Sequence, residues 1–155
     1  MKRYISTQDR EGYTQMLEIV SALGGSRLGY KWLITDVEAY PQDGGKYDEL
    51  IENNSYIILS NAEFLNMLSE CNFQWIWAVF SAIPEKISNE EILKYSLPYA
   101  AENEEIYKDD VAIIQHPLAD IEIVAEDSSS VFIVSKDEQM AEKFKNLFPM
   151  SRTNY

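Results

Sequence analysis

Residues 73–83 constrain the fold of this chain more than any other stretch. Apolar side chains fill both alternating sets of a strand here, with Phe73, Trp75, Trp77 and Val79 on one side and Ile76, Ala78, Phe80 and Ala82 on the other. A strand that is apolar on both faces belongs in the interior of a sheet that is covered on each side. Pro84 ends the run, because proline cannot donate a hydrogen bond to a ladder. The pattern therefore predicts a central strand, with Trp75 and Trp77 in the core on one face.

Capped helices alternate with further strands along the chain. The capping-box pattern, a serine followed three residues later by an acid, starts helices at residues 6–9, 60–63, 88–91 and 135–138. Strands are predicted at residues 30–37, 56–59, 120–126 and 131–134, and residues 127–130 join the last two as an antiparallel hairpin. We therefore predict a single α+β domain over residues 1–155, with a frayed tail at 150–155. Its sheet should be mixed but mostly antiparallel, with about five to six strands and about three to four helices packed on it.

The formal net charge of −13 limits the partners of such a chain. It should repel the phosphates of nucleic acids and anionic membrane surfaces, and attract basic proteins. Between residues 98 and 127 the single base Lys108 stands among nine acids, which are Glu102, Glu104, Glu105, Asp109, Asp110, Asp120, Glu122, Glu126 and Asp127. A solvated loop that keeps the protein soluble would explain this cluster. The other interpretation is an acidic surface that docks a basic protein.

The chain carries no pattern that directs it to a membrane or an oxidising compartment. Its N-terminus has no long apolar run, and no window of the length of a membrane span is free of charges. Cys71 is the single cysteine, so it cannot form an internal disulfide. We therefore expect a soluble cytoplasmic protein that binds neither membranes nor nucleic acid.

The residues that usually carry catalysis are few and scattered. His116 is the single histidine, which leaves a structural role, a surface role or a pH-sensitive contact. Cys71 has no basic neighbour that would form a thiolate, so we interpret it as a small buried residue. The serines of residues 127–130 lack the glycine-flanked turn of a nucleophile and fit a hairpin loop. The sequence therefore predicts no catalytic residue, no metal site and no cofactor.

Tyrosines in and beside the acidic stretch suggest a binding surface. Tyrosine is favoured at protein interfaces because it combines a large apolar area with a polar tip. The predicted partner-binding set is Tyr95, Tyr99, Glu102, Glu104, Glu105, Tyr107, Asp109 and Asp110. The alternative is that these rings cover the edge of the sheet.

The order of the elements resembles a group of small acidic bacterial proteins that form a domain family with no assigned function. The likeness is carried by residues 30–34 (Tyr-Lys-Trp-Leu-Ile), 53–58 (Asn-Asn-Ser-Tyr-Ile-Ile), 77–81 (Trp-Ala-Val-Phe-Ser) and 125–134. It is also similar to the immunity proteins of bacterial toxin systems, which are often acidic single α+β domains. The resemblance covers most of the chain without a diagnostic motif, and it transfers no site residues. It implies a protein that binds and neutralises a partner.

Three classes of function remain after these exclusions. The first is a non-enzymatic acidic module that docks a basic protein, with an immunity protein that neutralises a toxin as its specific form. The second is an enzyme or small-ligand-binding protein with a pocket near Trp32, Asp36 and Glu38, where aromatic rings and carboxylates would form the lining. A structural or oligomeric component is a third option. Because no catalytic constellation is present, we favour the first class.

Overall fold

The computed structural model describes residues 1–6, 15–41, 45–108 and 111–152. Its strands are β1 (Lys2–Ser6), β2 (Tyr30–Pro41), β3 (Tyr56–Ser60), β4 (Phe73–Pro84), β5 (Ile121–Glu126) and β6 (Ser130–Ser135). Its helices are α1 (Met16–Leu23), α2 (Asp48–Glu52), α3 (Asn61–Glu70), α4 (Asn89–Ile92) and α5 (Glu138–Leu147). The strands form one six-stranded sheet in the order β1-β6-β5-β4-β2-β3, and all its described pairs are antiparallel. The predicted α+β class is confirmed.

The prediction that residues 73–83 form an interior strand is also confirmed, because β4 lies between β5 and β2. The prediction that Trp75 and Trp77 share a face is wrong. Trp77 pairs with Glu38 and Trp75 pairs with Ala39, so β4 contains one extra residue, Ile76, at this point. A bulge of this kind reverses the alternation of side chains. Trp75 therefore packs with the larger core, and Trp77 packs on the opposite face of the sheet.

One face of the sheet is covered by helices α1, α3 and α5. They bury Ile19, Phe64 and Phe144 in the same cluster as Trp75. Each of these side chains belongs to an apolar stripe that recurs at helical spacing along its own helix. The burial of that stripe away from water is the main stabilising term for short helices. This face holds the largest part of the core.

The capping patterns are confirmed in part. At α3, the Ser60 hydroxyl accepts from the Glu63 amide and the Glu63 carboxylate accepts from the Ser60 amide, so both bonds of the capping box are present. At α4, Ser88 caps as predicted, but the helix is only one turn long. At α5 the predicted cap is wrong, because the Asp137 side chain, rather than that of Ser135, accepts from the first turn.

The helix predicted from residue 6 begins at Met16 in the described part of the chain. Residues 7–14, which hold most of the predicted cap, lie outside the described residues. The helix ends at Gly24, which has a φ of 153° and donates its amide to the carbonyls of Val20 and Ser21. Only glycine adopts this conformation without strain, which explains why the helix ends there.

Residues 121–135 form the antiparallel hairpin that their alternation predicts. Asp127 and Ser128 have φ values of 48° and 58°, and the Ser129 amide donates to the Glu126 carbonyl at 3.0 Å. Two successive residues with positive φ give a turn whose twist matches that of the flanking strands. The serine-rich loop is therefore explained by the geometry of the hairpin.

The C-terminal end differs from the predicted frayed tail. Ser151 is buried, and its carbonyl accepts from the Lys145 ammonium, which also donates to the Pro149 carbonyl. Residues 153–155 lie outside the described part of the chain.

The second face of the sheet is covered by a long irregular stretch, residues 93–119, which we name the covering segment. It contains a single short 3₁₀ turn, Glu104–Tyr107, among its described residues. Its apolar side chains pack on β2, β4, β5 and β6 and include Leu97, Ala100, Ile106, Ala112, Ile114, Leu118 and Ala119. The acidic stretch is therefore more than a solvated loop, because it forms one layer of the fold. It also explains why β2 buries Leu33 and Thr35 on this face as well as Trp32 on the other.

Candidate functional site

The covering segment has no regular ladder to bond its backbone, although its inner side is buried. Buried backbone N–H groups need partners, and side chains must provide them where secondary structure does not. Asp36 provides two, because its Oδ2 accepts from the amides of Ala100 at 2.7 Å and Ala101 at 2.8 Å. Asp36 itself has a φ of 52° at a bulge of β2, a conformation that aspartate adopts more readily than most residues. The bulge directs its carboxylate toward the segment.

A second carboxylate, Glu122 of β5, holds the other end of the covering segment. Its Oε2 accepts from the Gln115 amide at 2.8 Å, and its Oε1 accepts from the His116 amide at 2.9 Å. The Ser81 hydroxyl of β4 donates to Oε1 at 3.1 Å. Glu122 is only 1% exposed, so this acid does not belong to the surface charge that the sequence suggested.

The environment of Glu122 favours its neutral form. Burial raises the pKa of Glu122 to about 7 from its usual 4.5, against the opposing effects of three hydrogen bonds and the more distant Lys136. The described residues provide no lysine, arginine or histidine in ion-pair contact with this carboxyl. Glu122 therefore titrates near neutral pH, unlike an ordinary surface glutamate.

Side-chain amides connect the two halves of the segment between these carboxylates. Gln115 Oε1 accepts from the Tyr99 amide at 3.0 Å and from Asn103 Nδ2 at 3.2 Å, and Gln115 Nε2 donates to the Tyr99 carbonyl at 3.0 Å. The Tyr107 hydroxyl donates to the Ala100 carbonyl at 2.9 Å. The described part of the segment is thus a surface layer that side-chain hydrogen bonds hold in place without an α-helix or strand pairing.

His116 has a structural role. Its ring is fully buried, and Nε2 lies 3.0 Å from the Ile92 carbonyl while Nδ1 accepts from the Leu118 amide at 3.2 Å. A carbonyl can only accept, so these two contacts define a neutral ring with its proton on Nε2. Ser81, His116 and Glu122 lie close together, but the ring bonds neither of the other two side chains and all three are shielded from water. They do not form a catalytic triad.

The structure places the predicted partner-binding residues in two environments. Glu102, Glu104, Tyr95 and Tyr99 are exposed on the outer side of the covering segment, and Tyr99 is 51% exposed. Glu105 is exposed as well, but Lys108 neutralises it at 2.7 Å. Glu102 and Glu104 form no ion pair with any residue that the structure describes.

Tyr107 lies on the inner side of the segment. Its ring makes edge contacts with Trp77, at 6.5 Å between centroids, and with Phe132, at 5.8 Å. It covers a face of the sheet over the interior strands β4 and β6, whereas the alternative interpretation of the tyrosines placed them over the sheet edge. Asp109 and Asp110 fall outside the described residues.

The structure adds two residues to this surface that the sequence did not indicate. Leu93 and Ile113 are each 39% exposed on the same segment as Tyr95 and Tyr99. Leu93 belongs to the apolar positions of the helix predicted from residue 88, and Ile113 belongs to a short apolar run that suits a strand or a loop. The sequence therefore carried no signal of their exposure. The outer side of the segment therefore combines apolar side chains with carboxylates.

The alternative pocket near Trp32, Asp36 and Glu38 is not assembled. Trp32 is fully buried on the helical face, where its Nε1 donates to Asn61 Oδ1 at 3.0 Å. Asp36 is bonded to the covering segment on the other face, and Glu38 is exposed. The three side chains do not converge on one cavity.

The described residues contain no group of three or more acids, histidines or cysteines arranged to hold a metal ion. Within the same residues, every helix is too short or too polar to cross a membrane. Cys71 is buried, as its sequence context indicated.

No family model, curated protein or solved structure matches this chain. What is established is the class, a single α+β domain in which an irregular acidic segment covers one face of the sheet. The similarity to immunity proteins stays a prediction.

Proposed function

We propose that this protein is a non-enzymatic binding module that docks a basic protein through the outer side of its covering segment. The observation that carries the proposal is that one segment exposes Tyr95 and Tyr99 together with two carboxylates, Glu102 and Glu104, that have no cationic partner among the described residues. Aromatic side chains provide contact area, and carboxylates attract and orient a basic partner.

The way the segment is held supports this proposal. Ordering a flexible loop on binding reduces affinity, whereas a surface that is already ordered avoids that loss. Asp36 and Glu122 bond the segment to the sheet from below and leave its outer side chains exposed. The carboxylates and rings are therefore presented in a defined arrangement before any partner arrives.

In its specific form, the proposal is an immunity protein whose basic partner is a toxin such as a nuclease. The net charge of −13 supports it, because a protein that covers a nucleic-acid-binding site must resemble a polyanion. Rapid, salt-dependent association would follow from the same charge.

The test compares two charge-reversed variants of equal net charge. The first carries Glu102→Lys, Glu104→Lys and Glu105→Lys on the covering segment, and the second carries Glu49→Lys, Glu52→Lys and Glu85→Lys at exposed positions elsewhere. Wild type and both variants are immobilised and exposed to lysate of the source cell at low salt. A captured basic protein is then purified and titrated against each of them by calorimetry.

The expected result is a salt-dependent partner that binds wild type and the second variant but loses at least tenfold in affinity for the first, because reversal turns attraction into repulsion. Tyr99→Ala should weaken binding as well. Equal binding by both charge-reversed variants would contradict the proposed surface. The lack of any captured protein at low salt would contradict the proposed function.

A further inference from the structure

Glu122 differs from Asp36 although both acids hold the covering segment. Asp36 is partly exposed, whereas Glu122 is 99% buried, and Glu122 receives both of its backbone hydrogen bonds from the segment itself. If the segment lifts from the sheet at this end, the Glu122 carboxyl becomes accessible to water. Its charge state and the position of the segment are therefore linked.

No cationic side chain among the described residues contacts Glu122, so only three hydrogen-bond donors and the more distant Lys136 offset the burial of its charge. Ser81 of β4 is neutral, and the segment contributes two backbone amides and the His116 ring, whose nitrogens bond elsewhere. Beyond β6, the Lys136 ammonium lies 3.8 Å from the Asp120 carboxylate, which offsets its positive charge. The neutral carboxyl can also be bonded here, because its O–H can donate to the Ser81 oxygen while its other oxygen still accepts from the Gln115 amide.

We propose that Glu122 is a pH-dependent latch: the covering segment stays closed on the sheet while this carboxyl is protonated, and opens more often once it ionises. The ionised form is stabilised by water only when the segment opens, whereas the protonated form gains little from opening. The direction follows from linkage. An acid whose pKa is higher in the closed form favours the closed form at low pH and loses that preference as the pH rises through 7.

The size of the effect follows from the two pKa values of Glu122, about 7 in the closed form and about 4.5 once exposed. The equilibrium constant for opening should increase by about tenfold between about pH 6 and about pH 8 and then level off. The logarithm of the opening constant changes most steeply midway between the two pKa values, at about pH 6. Small changes in the pH of the surroundings would therefore shift the segment between its states.

The consequence for docking rests on the proposed function. Tyr95, Tyr99, Glu102 and Glu104 are all carried by the covering segment, so opening dismantles the surface that they form. Partner affinity should then be higher near pH 6 than near pH 8, which is opposite to the effect of simply protonating surface carboxylates. The same latch would also operate in the absence of any partner.

The experiment is amide hydrogen exchange by NMR on the isolated protein from about pH 5.5 to about pH 8.5, with rates corrected for the intrinsic pH dependence of exchange. The reporters are the amides of Gln115 and His116, which bond Glu122, and the amide of Ile123 in β5 reports global unfolding. The expected result is a rise of about tenfold in the opening constant of the two reporters between about pH 6 and about pH 8, with values above that of Ile123 at every pH, and no rise in Glu122→Gln.

Three results would overturn the latch. They are a flat profile for the two reporters in wild type, an equal rise in Glu122→Gln, and opening constants of the two reporters that equal that of Ile123, which would mean that the whole domain opens. If the Glu122→Gln variant does not fold, the carboxyl carbon of Glu122 is titrated directly in wild type by ¹³C NMR. A midpoint near 7 then supports the latch, and a midpoint near 4.5 overturns it.

The two proposals fail separately. If hydrogen exchange follows the expected profile but no partner binds, the latch proposal is supported and the docking proposal is contradicted. Docking that is sensitive to the charge of the segment, combined with a flat exchange profile, supports the function and removes the latch.

Discussion

Asp36 accepts the backbone N–H of Ala100 at 2.7 Å and thereby joins two residues that are 64 positions apart in the chain. The same oxygen accepts from Ala101, so one side chain bonds two consecutive amides of the covering segment. This arrangement explains how an irregular segment can replace a helix as a layer of the fold. Asp36 and Glu122 of the sheet bond four of its backbone amides, and side chains of the segment itself bond other backbone groups.

Replacement of Asp36 by glycine should destabilise the protein by about 2–4 kcal/mol, because two amides lose their acceptor while glycine still adopts the positive φ. Asp36→Asn should cost about 1 kcal/mol, since its carbonyl oxygen can accept the same bonds without the charge. Urea denaturation monitored by circular dichroism measures both. Glu38→Gly, in the same strand but exposed, is the control for glycine in a strand. Equal losses for Asp36→Gly and Glu38→Gly would contradict the anchoring role.

The raised pKa of Glu122 should make the protein less stable as the pH rises. The folded protein binds a proton at Glu122 between about pH 4.5 and about pH 7 that the unfolded chain has already lost, so the free energy of unfolding falls across this window. The Glu122 contribution to this fall is about 3 kcal/mol. Urea titrations of wild type and Glu122→Gln at several pH values measure this contribution as the difference between their free energies of unfolding. A difference that does not change with pH would contradict the burial of an uncompensated carboxyl.

The bulge at Ile76 predicts that Trp77 is the tryptophan most accessible to a quencher. Trp32 and Trp75 are buried in the main core, whereas Trp77 is half-buried beneath the covering segment. Trp77→Phe should remove most of the fluorescence that acrylamide quenches, and the matched Trp75→Phe variant should retain it. If the two variants are quenched alike, the two rings do not lie on opposite faces.

Asn61 should stabilise the main core through two hydrogen bonds that no other side chain can make. Its Oδ1 accepts from the buried Trp32 ring at 3.0 Å, and its Nδ2 donates to the Gly25 carbonyl at 3.0 Å. Asn61→Ala should therefore cost about 2–3 kcal/mol, because a buried indole N–H is left without an acceptor. Asn66→Ala, on the exposed side of the same helix, should cost less than about 1 kcal/mol. Thermal unfolding of both variants measures the difference, and similar losses would show that the buried bonds are unimportant.

Local patterns predicted the elements of this fold well. The capping box at Ser60, the hairpin of residues 121–135 and the interior position of β4 all follow from interactions within a few residues of each other. Bulges are harder to predict, because an extra residue such as Ile76 has no compositional mark of its own. Trp75 and Trp77 lie on opposite faces of the sheet because of that one residue.

The candidate site was predicted less completely than the fold. Tyr95, Tyr99, Glu102 and Glu104 are exposed, but Tyr107 and Glu122 point inward. A signal for Glu122 was present, since Val124 shares its face of β5 and is apolar, which indicates that this face is covered. No local signal marks Gln115 and His116 as its partners, because hydrogen bonds to backbone amides leave no trace in side-chain composition.

The sequence by itself determined the class of the fold and the sign and amount of its charge, because both depend on periodicity and composition. Only the tertiary structure decided where that charge lies. It buried Glu122 beneath the covering segment, bonded Asp36 to the same segment from β2, and left Glu102 and Glu104 outside. The physical reason is that buried backbone amides need acceptors, and the acids that provide them are selected by proximity in space rather than in sequence.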